Sequence, residues 1–122
     1  MEHRWYLDSG ASNHMTGSKV AFSELDGGVT GSVRFGDNSK VEIRGHGTVI
    51  FLCQNGKHRA LTDVYYIPQQ RSSIVSIGQL DKRGCEVQID SGILKIHDRE
   101  RHLLAKVKRS RNRLYLLNLK VE

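Results

Sequence analysis

The stretch Trp5-Tyr6-Leu7-Asp8-Ser9-Gly10-Ala11-Ser12 runs three apolar residues into an acid, a hydroxyl, a glycine and small residues. A carboxylate at the end of a buried strand is costly unless something pairs with it or uses it. Used, such a group acts as general base or general acid toward water or a substrate. Ser9 brings a hydroxyl able to donate and accept, and Gly10 lets the backbone turn sharply or approach another backbone. As a tripeptide alone, Asp-Ser-Gly reads first as a turn that ends a strand, because such tripeptides are common in loops. Asp26, Asp37, Asp63, Asp81 and Asp98 lie in turns or polar contexts. Asp90-Ser91-Gly92 repeats the tripeptide, but as a turn between two alternating runs.

The elements that must position Asp8 are short. Trp5-Tyr6-Leu7 suits a buried strand. Residues 13–25 are mixed, and Val20, Ala21, Phe22 and Leu25 read as a short helical turn or an irregular loop. Val33, Phe35, Val41 and Ile43 alternate with polar residues around Gly36-Asp37-Asn38-Ser39, which is hairpin chemistry. Pairing Phe35 with Val41 and Val33 with Ile43 gathers one apolar face and leaves Asp37, Asn38 and Ser39 as the loop. The glycines of Arg44-Gly45-His46-Gly47 suggest a bulge or a close approach in the strand that continues to Leu52. They lack the Lys-Ser/Thr pair of a phosphate loop. A tight turn at 54–57 precedes a strand over Leu61–Ile67, which Pro68 stops. Ile74–Leu80 leads to a short helix ended by Gly84. Alternation over 85–89, 93–97 and 103–107 and the apolar Leu114–Leu117 complete an all-β chain with one or two short helices.

The run WYLDSGASNHMTG resembles the active-site segment of retropepsin-type aspartic proteases, above all those of copia-type retrotransposon polyproteins. The resemblance is strongest from Trp5 to about Ile89. It implies a retropepsin-like half-barrel with a flap hairpin and one short helix, assembling as a symmetric homodimer. Two carboxylates around one water do the chemistry in that family, and like charges so close cannot both ionise, so the pair shares a proton. With Asp8 as the one aspartate in the full motif, each of two chains would supply half the site. The resemblance makes Asp8 catalytic, Ser9 a bridge across the two-fold axis, Gly10 the residue that lets the loops meet and Ala11 a small cleft wall. Gly36, Asp37, Asn38 and Ser39 would form the flap tip over substrate. Ile74, Val75 and Ser76 would wall the cleft behind Asp8. Ile77-Gly78 fits the same pattern if the alignment slips by two, and the sequence leaves both open. The implied substrate is the element's own polyprotein, cut during maturation of cytoplasmic virus-like particles, with no cofactor.

Composition sets outer bounds. The 122 residues, 38% hydrophobic, suit one domain, and those from about 106 read either as its end or as a junction toward an integrase. No apolar run approaches the ~20 residues of a membrane span, and Met-Glu-His-Arg-Trp lacks the apolar core of a secretory signal. Cys53 and Cys85 do not make a disulfide framework and read as reduced. His46, Cys53 and His58 are too loosely spaced to argue for zinc, so no metal is expected. The net charge of +6 gathers at Lys106, Lys108, Arg109, Arg111 and Arg113, either a solvated face or a weak, non-specific RNA contact. Other classes remain in view: a basic nucleic-acid-binding segment, or an inactive retropepsin-like dimerisation domain.

Overall fold

The computed structural model of the protein describes residues 2–53 and 56–122. The chain opens with β1 (Glu2–Asp8), β2 (His14–Thr16), a 3-10 turn over Lys19–Ala21 and β3 (Glu24–Asp26). The hairpin strands β4 (Gly31–Arg34) and β5 (Lys40–Ile43) precede the long β6 (Gly45–Leu52) and β7 (His58–Tyr66). Next come β8 (Ser73–Ser76), α1 (Ile77–Lys82), β9 (Glu86–Asp90), β10 (Ile93–His97), β11 (Leu103–Lys108) and β12 (Tyr115–Val121).

The order β12-β1-β8-β2-β7-β6 closes on itself, because β12 pairs antiparallel with β6 at Lys120↔Leu52 and Val121↔Phe51. Where the resemblance implied a half-barrel, one chain therefore closes a six-stranded barrel alone. The closing strand is β12, paired along its length with β1 from Glu2↔Lys120 to Leu7↔Tyr115. Residues beyond 106 include the end of β11 and all of β12.

Alternation builds the core. Trp5 and Leu7 of β1, Val49 of β6, Leu61 and Val64 of β7, Val75 of β8, and Leu119 and Val121 of β12 are buried together inside the barrel. The three-stranded meander β11-β10-β9 lays Leu94 and Ile96 on the same core. Leu94 is fully buried, and removing such a side chain costs about 2–5 kcal/mol, so the meander is anchored to the barrel. Arg59 of β7 adds a clasp, reaching Asp98 in the β10–β11 turn at 2.8 Å.

Residues 13–25 hold two short strands besides the helical turn. β3 adds to β6 at Glu24↔Thr48, Leu25↔Gly47 and Asp26↔His46. The contact needs Gly47, where a Cβ would collide with the Glu24 carbonyl, and the β6–β7 register shifts between Gly47 and Val49. Both the close approach and the bulge are therefore present. Of the turn expected at 54–57, residues 54 and 55 lie outside the described residues. Cys53 and Cys85 are free thiols. Among the described residues no helix is long and apolar enough to cross a membrane.

The hairpin register differs by two from the expected one: Val33 faces Val41 and Gly31 faces Ile43. The loop is Gly36-Asp37-Asn38, closed by Asn38 N–H to Phe35 O at 2.9 Å and Phe35 N–H to Ser39 O at 2.9 Å. Asn38 sits at φ 71°, a left-handed conformation that Asn tolerates, and this makes a type I turn with a bulge the favoured closure. A slip of two keeps every side chain on its original face. Val33, Phe35 and Val41 accordingly still pack on Met15, Ile43 and Ile67 in a second, smaller core.

Candidate active-site loop

Asp8 ends β1 and is exposed, on a loop whose bracing comes from behind. Its Oδ1 accepts the Gly10 N–H at 2.7 Å, and a Cβ at Gly10 would press on that oxygen at 3.3 Å. β8 runs parallel to β1 with Val75 beside Leu7 and Ser76 beside Asp8, and on its other side it meets β2 at Met15↔Ile74. The loop joining β1 to β2 therefore crosses the end of β8.

Ser76 fastens that crossing. Its hydroxyl donates to Ala11 O at 2.7 Å and accepts from Gln79 N–H at 3.1 Å, which caps α1. Gln79 Nε2 donates to Ser12 O at 2.9 Å. The Ser76 N–H donates to Nδ1 of His14 at 2.9 Å. One turn further back, the buried hydroxyls of Thr16 and Ser73 bond at 2.7 Å. Gly84, at φ 93°, follows the end of α1, with Cys85 N–H returning to Leu80 O at 2.9 Å, the expected glycine stop.

The two alignments left open by the sequence place their residues differently. Ser76 lies behind the loop, while Gly78 is exposed within α1. Of the expected cleft wall, Ile74 alone faces the cleft. Val75 points into the barrel core and is 2% exposed, and Ser76 is fully buried behind Ala11. Period-2 alternation forbids adjacent strand residues from sharing a wall.

Two concavities flank Asp8. One, of ≈ 280 Å³, lies between the loop and the hairpin and is lined by Asp8, Gly10, Ala11, Arg34, Phe35 and Gly36, among others. At the hairpin tip Asp37 Oδ1 accepts from Ser39 N–H at 2.9 Å and from the Ser39 hydroxyl at 2.6 Å. The other concavity, of ≈ 650 Å³, includes Ser9 and runs toward the C-terminal strands. Asp8 and Ile74 belong to both, and Asp8 is the one carboxylate lining either among the described residues. Asp90-Ser91-Gly92, the repeated tripeptide, forms the β9–β10 turn with Ser91 at φ 52° and Gly92 at φ 78°. These are the angles of a two-residue hairpin turn.

Sequence reasoning missed His14 and Gln79, which brace the loop. His14 is buried, and burial, helped by the charge of Arg83, lowers its pKa to about 4. It is thus neutral near pH 7, with Nδ1 free to accept and the proton on Nε2. All three residues of β2 are buried, so no alternation marked His14 as a core position.

The residues weighed for zinc sit apart. His46 Nε2 is 3.3 Å from Asp63 Oδ1, His58 Nε2 is 3.4 Å from Glu122 Oε1, and Cys53 is buried. Among the described residues no group of three or more His, Cys, Asp or Glu could hold a metal ion.

Local stability differs across this site. Amide exchange at Gly36 and Asp37, on an exposed tip, is expected to be much faster than in β7, whose Leu61 and Val64 are buried. Slower exchange at the tip than in β7 would contradict a mobile hairpin.

A closed β-barrel bearing one exposed carboxylate on a braced loop is the class that fold and site define. Residues 5–85 match the family described as "Pol polyprotein, beta-barrel domain", and the chain belongs to that family. It is 32% identical over 85 residues to the "Retrovirus-related Pol polyprotein from transposon TNT 1-94" of Nicotiana tabacum. That similarity covers 70% of this chain and 6% of the tobacco protein.

Proposed function

We propose that the chain is a retropepsin-type aspartic endopeptidase. Each chain supplies one Asp8 to a symmetric homodimer, and the dimer cleaves the retrotransposon polyprotein to which it belongs during particle maturation. The observation that carries the reading is the setting of Asp8: an exposed carboxylate on a loop tied to Ser76, Gln79 and β8, with a hairpin at its side. A general base must be held still against its substrate, and the Ser76 bond to Ala11 O and the Gln79 bond to Ser12 O hold the loop that carries Asp8. The hairpin supplies a mobile cover with Gly36 near the carboxylate. Substrate lies extended, gaining affinity from backbone hydrogen bonds and specificity from side-chain pockets. Ser9, exposed next to Asp8, bridges to its counterpart across the axis. The exposed Lys106, Lys108, Arg109 and Arg111 add a weak RNA contact that fades with salt.

Dilution tests the half-site. Peptide cleavage blocked by a pepstatin-type inhibitor is expected, with specific activity falling on dilution through the monomer–dimer transition seen by sedimentation. Constant specific activity through that transition would overturn the homodimeric site. Absence of cleavage by the assembled dimer would favour an inactive dimerisation domain.

A further inference from the structure

The larger concavity beside Asp8 has a wall that the active-site segment does not supply. β12 runs antiparallel to β1 with Leu7 opposite Tyr115, which brings Leu114 level with Asp8. The turn before it is tightly closed: Arg113 N–H donates to Ser110 O at 3.0 Å, Ser110 N–H to Leu114 O at 2.8 Å, and Leu114 N–H to Ser110 Oγ at 3.3 Å. Leu114 is therefore held in place although 43% exposed, and Ile89 of β9 stands in the same lining at 54% exposure. Tyr6, Ile74 and Ile77 complete an apolar surface. Arg113 is the one cation in that lining and makes no ion pair among the described residues.

We propose that this concavity is a side-chain subsite for an extended peptide: Ile74, Ile77, Ile89 and Leu114 take one large apolar side chain, and Arg113 selects an acidic residue beside it. The proposal rests on the endopeptidase reading and names its specificity. The space, ≈ 650 Å³, falls within the roughly 300–1,000 Å³ of small-ligand pockets, ample for a Leu or Phe side chain. Because Asp8 and Ile74 also line the concavity under the hairpin, a strand laid under the hairpin passes the carboxylate before its next side chains reach Ile89 and Leu114. The lone guanidinium at the rim complements a carboxylate on that strand. Ile89, Arg113 and Leu114 all lie outside the residues 5–85 that match the family, so the C-terminal strands complete the site as well as closing the barrel.

The test uses the full chain and fluorescent octapeptides with Leu or Ala at the central position and Glu or Lys beside it. Two quantities are read: kcat/KM for cleavage, and equilibrium binding to the uncleaving Asp8→Asn chain. Leu is expected to be preferred over Ala by at least about 10-fold, and Glu over Lys. Replacing both exposed residues, Ile89→Ser with Leu114→Ser, should erase most of the Leu preference, and Arg113→Glu should reverse the charge preference. Cleavage with both preferences unchanged in the variants would overturn the subsite and leave the endopeptidase standing. Binding preferences that follow the variants without any cleavage would support the subsite and overturn the endopeptidase. Neither binding nor cleavage would overturn both. Variants that weaken self-association with peptide preference intact would assign this face to a second copy of the chain and overturn the subsite.

Discussion

Asp8→Asn is expected to bring peptide cleavage to background, a loss on the order of 10²- to 10⁴-fold, while the barrel stays folded. Asn keeps an oxygen that can accept the Gly10 N–H now bonded to Asp8 Oδ1 at 2.7 Å, so the loop keeps its shape. It cannot take a proton from water and return it to the leaving group. Asp8 is exposed in the single chain, and a surface exchange of this kind changes stability by within about 0.5 kcal/mol. In the proposed dimer the variant also removes the cost of setting two carboxylates side by side, so assembly should be at least as strong as in the wild type. Far-UV circular dichroism, urea unfolding and sedimentation check fold and assembly beside the activity assay. Cleavage retained in Asp8→Asn would place the chemistry elsewhere.

The second large effect is acid lability through His14. Its Nδ1 accepts the Ser76 N–H at 2.9 Å, and protonation there would replace an acceptor by a donor facing a donor. Burial, then the Arg83 charge, lowers its pKa from 6.5 to about 4. With the folded value below the unfolded one, the unfolded chain binds more protons between the two. The stabilisation is full above pH 6.5 and is lost as pH falls toward 4, amounting to on the order of 3 kcal/mol. Burial also lowers the pKa of His3, which acts in the same direction. Urea unfolding at successive pH values should show stability falling through this window. A His14→Gln chain, less stable near pH 7, should show a shallower fall. Equal slopes in the two proteins would remove His14 from the account. Mild acid is also where a shared proton favours an aspartic dyad, so the loop braced by His14 and the proposed catalytic pair would pull the working pH in opposite directions.

Much of this arrangement is legible in the residues. Strong local signals held: the apolar run before Asp8, the alternation of β9 and β10, Gly84 as helix stop and Gly47 as a point of close approach. What was not legible depends on distant pairing. Nothing local marks Tyr115–Val121 as the strand that closes the barrel, because its partners β1 and β6 are set by tertiary packing. The hairpin register turns on which place in the three-residue loop the left-handed Asn38 takes, the last rather than the middle, which apolar matching alone does not decide. The motif groups Val75 and Ser76 with Ile74, whereas strand alternation separates them. His14 lacked a signal because β2 is buried on every residue. Arg113 stands in a basic run of the sequence, and only the tight turn over 110–114 sets it in the concavity that Asp8 also lines.

The most direct test of the central claim is a mixing experiment at a chain concentration where all protein is dimeric. Wild-type and Asp8→Asn chains are combined in varying ratio, allowed to exchange, and assayed for peptide cleavage at constant total protein. If each chain supplies one of two required carboxylates, mixed dimers are inactive and activity follows the square of the wild-type fraction, about a quarter at equal mixing. Activity in direct proportion to the wild-type fraction, about half at equal mixing, would show that each chain works alone and would contradict the shared site.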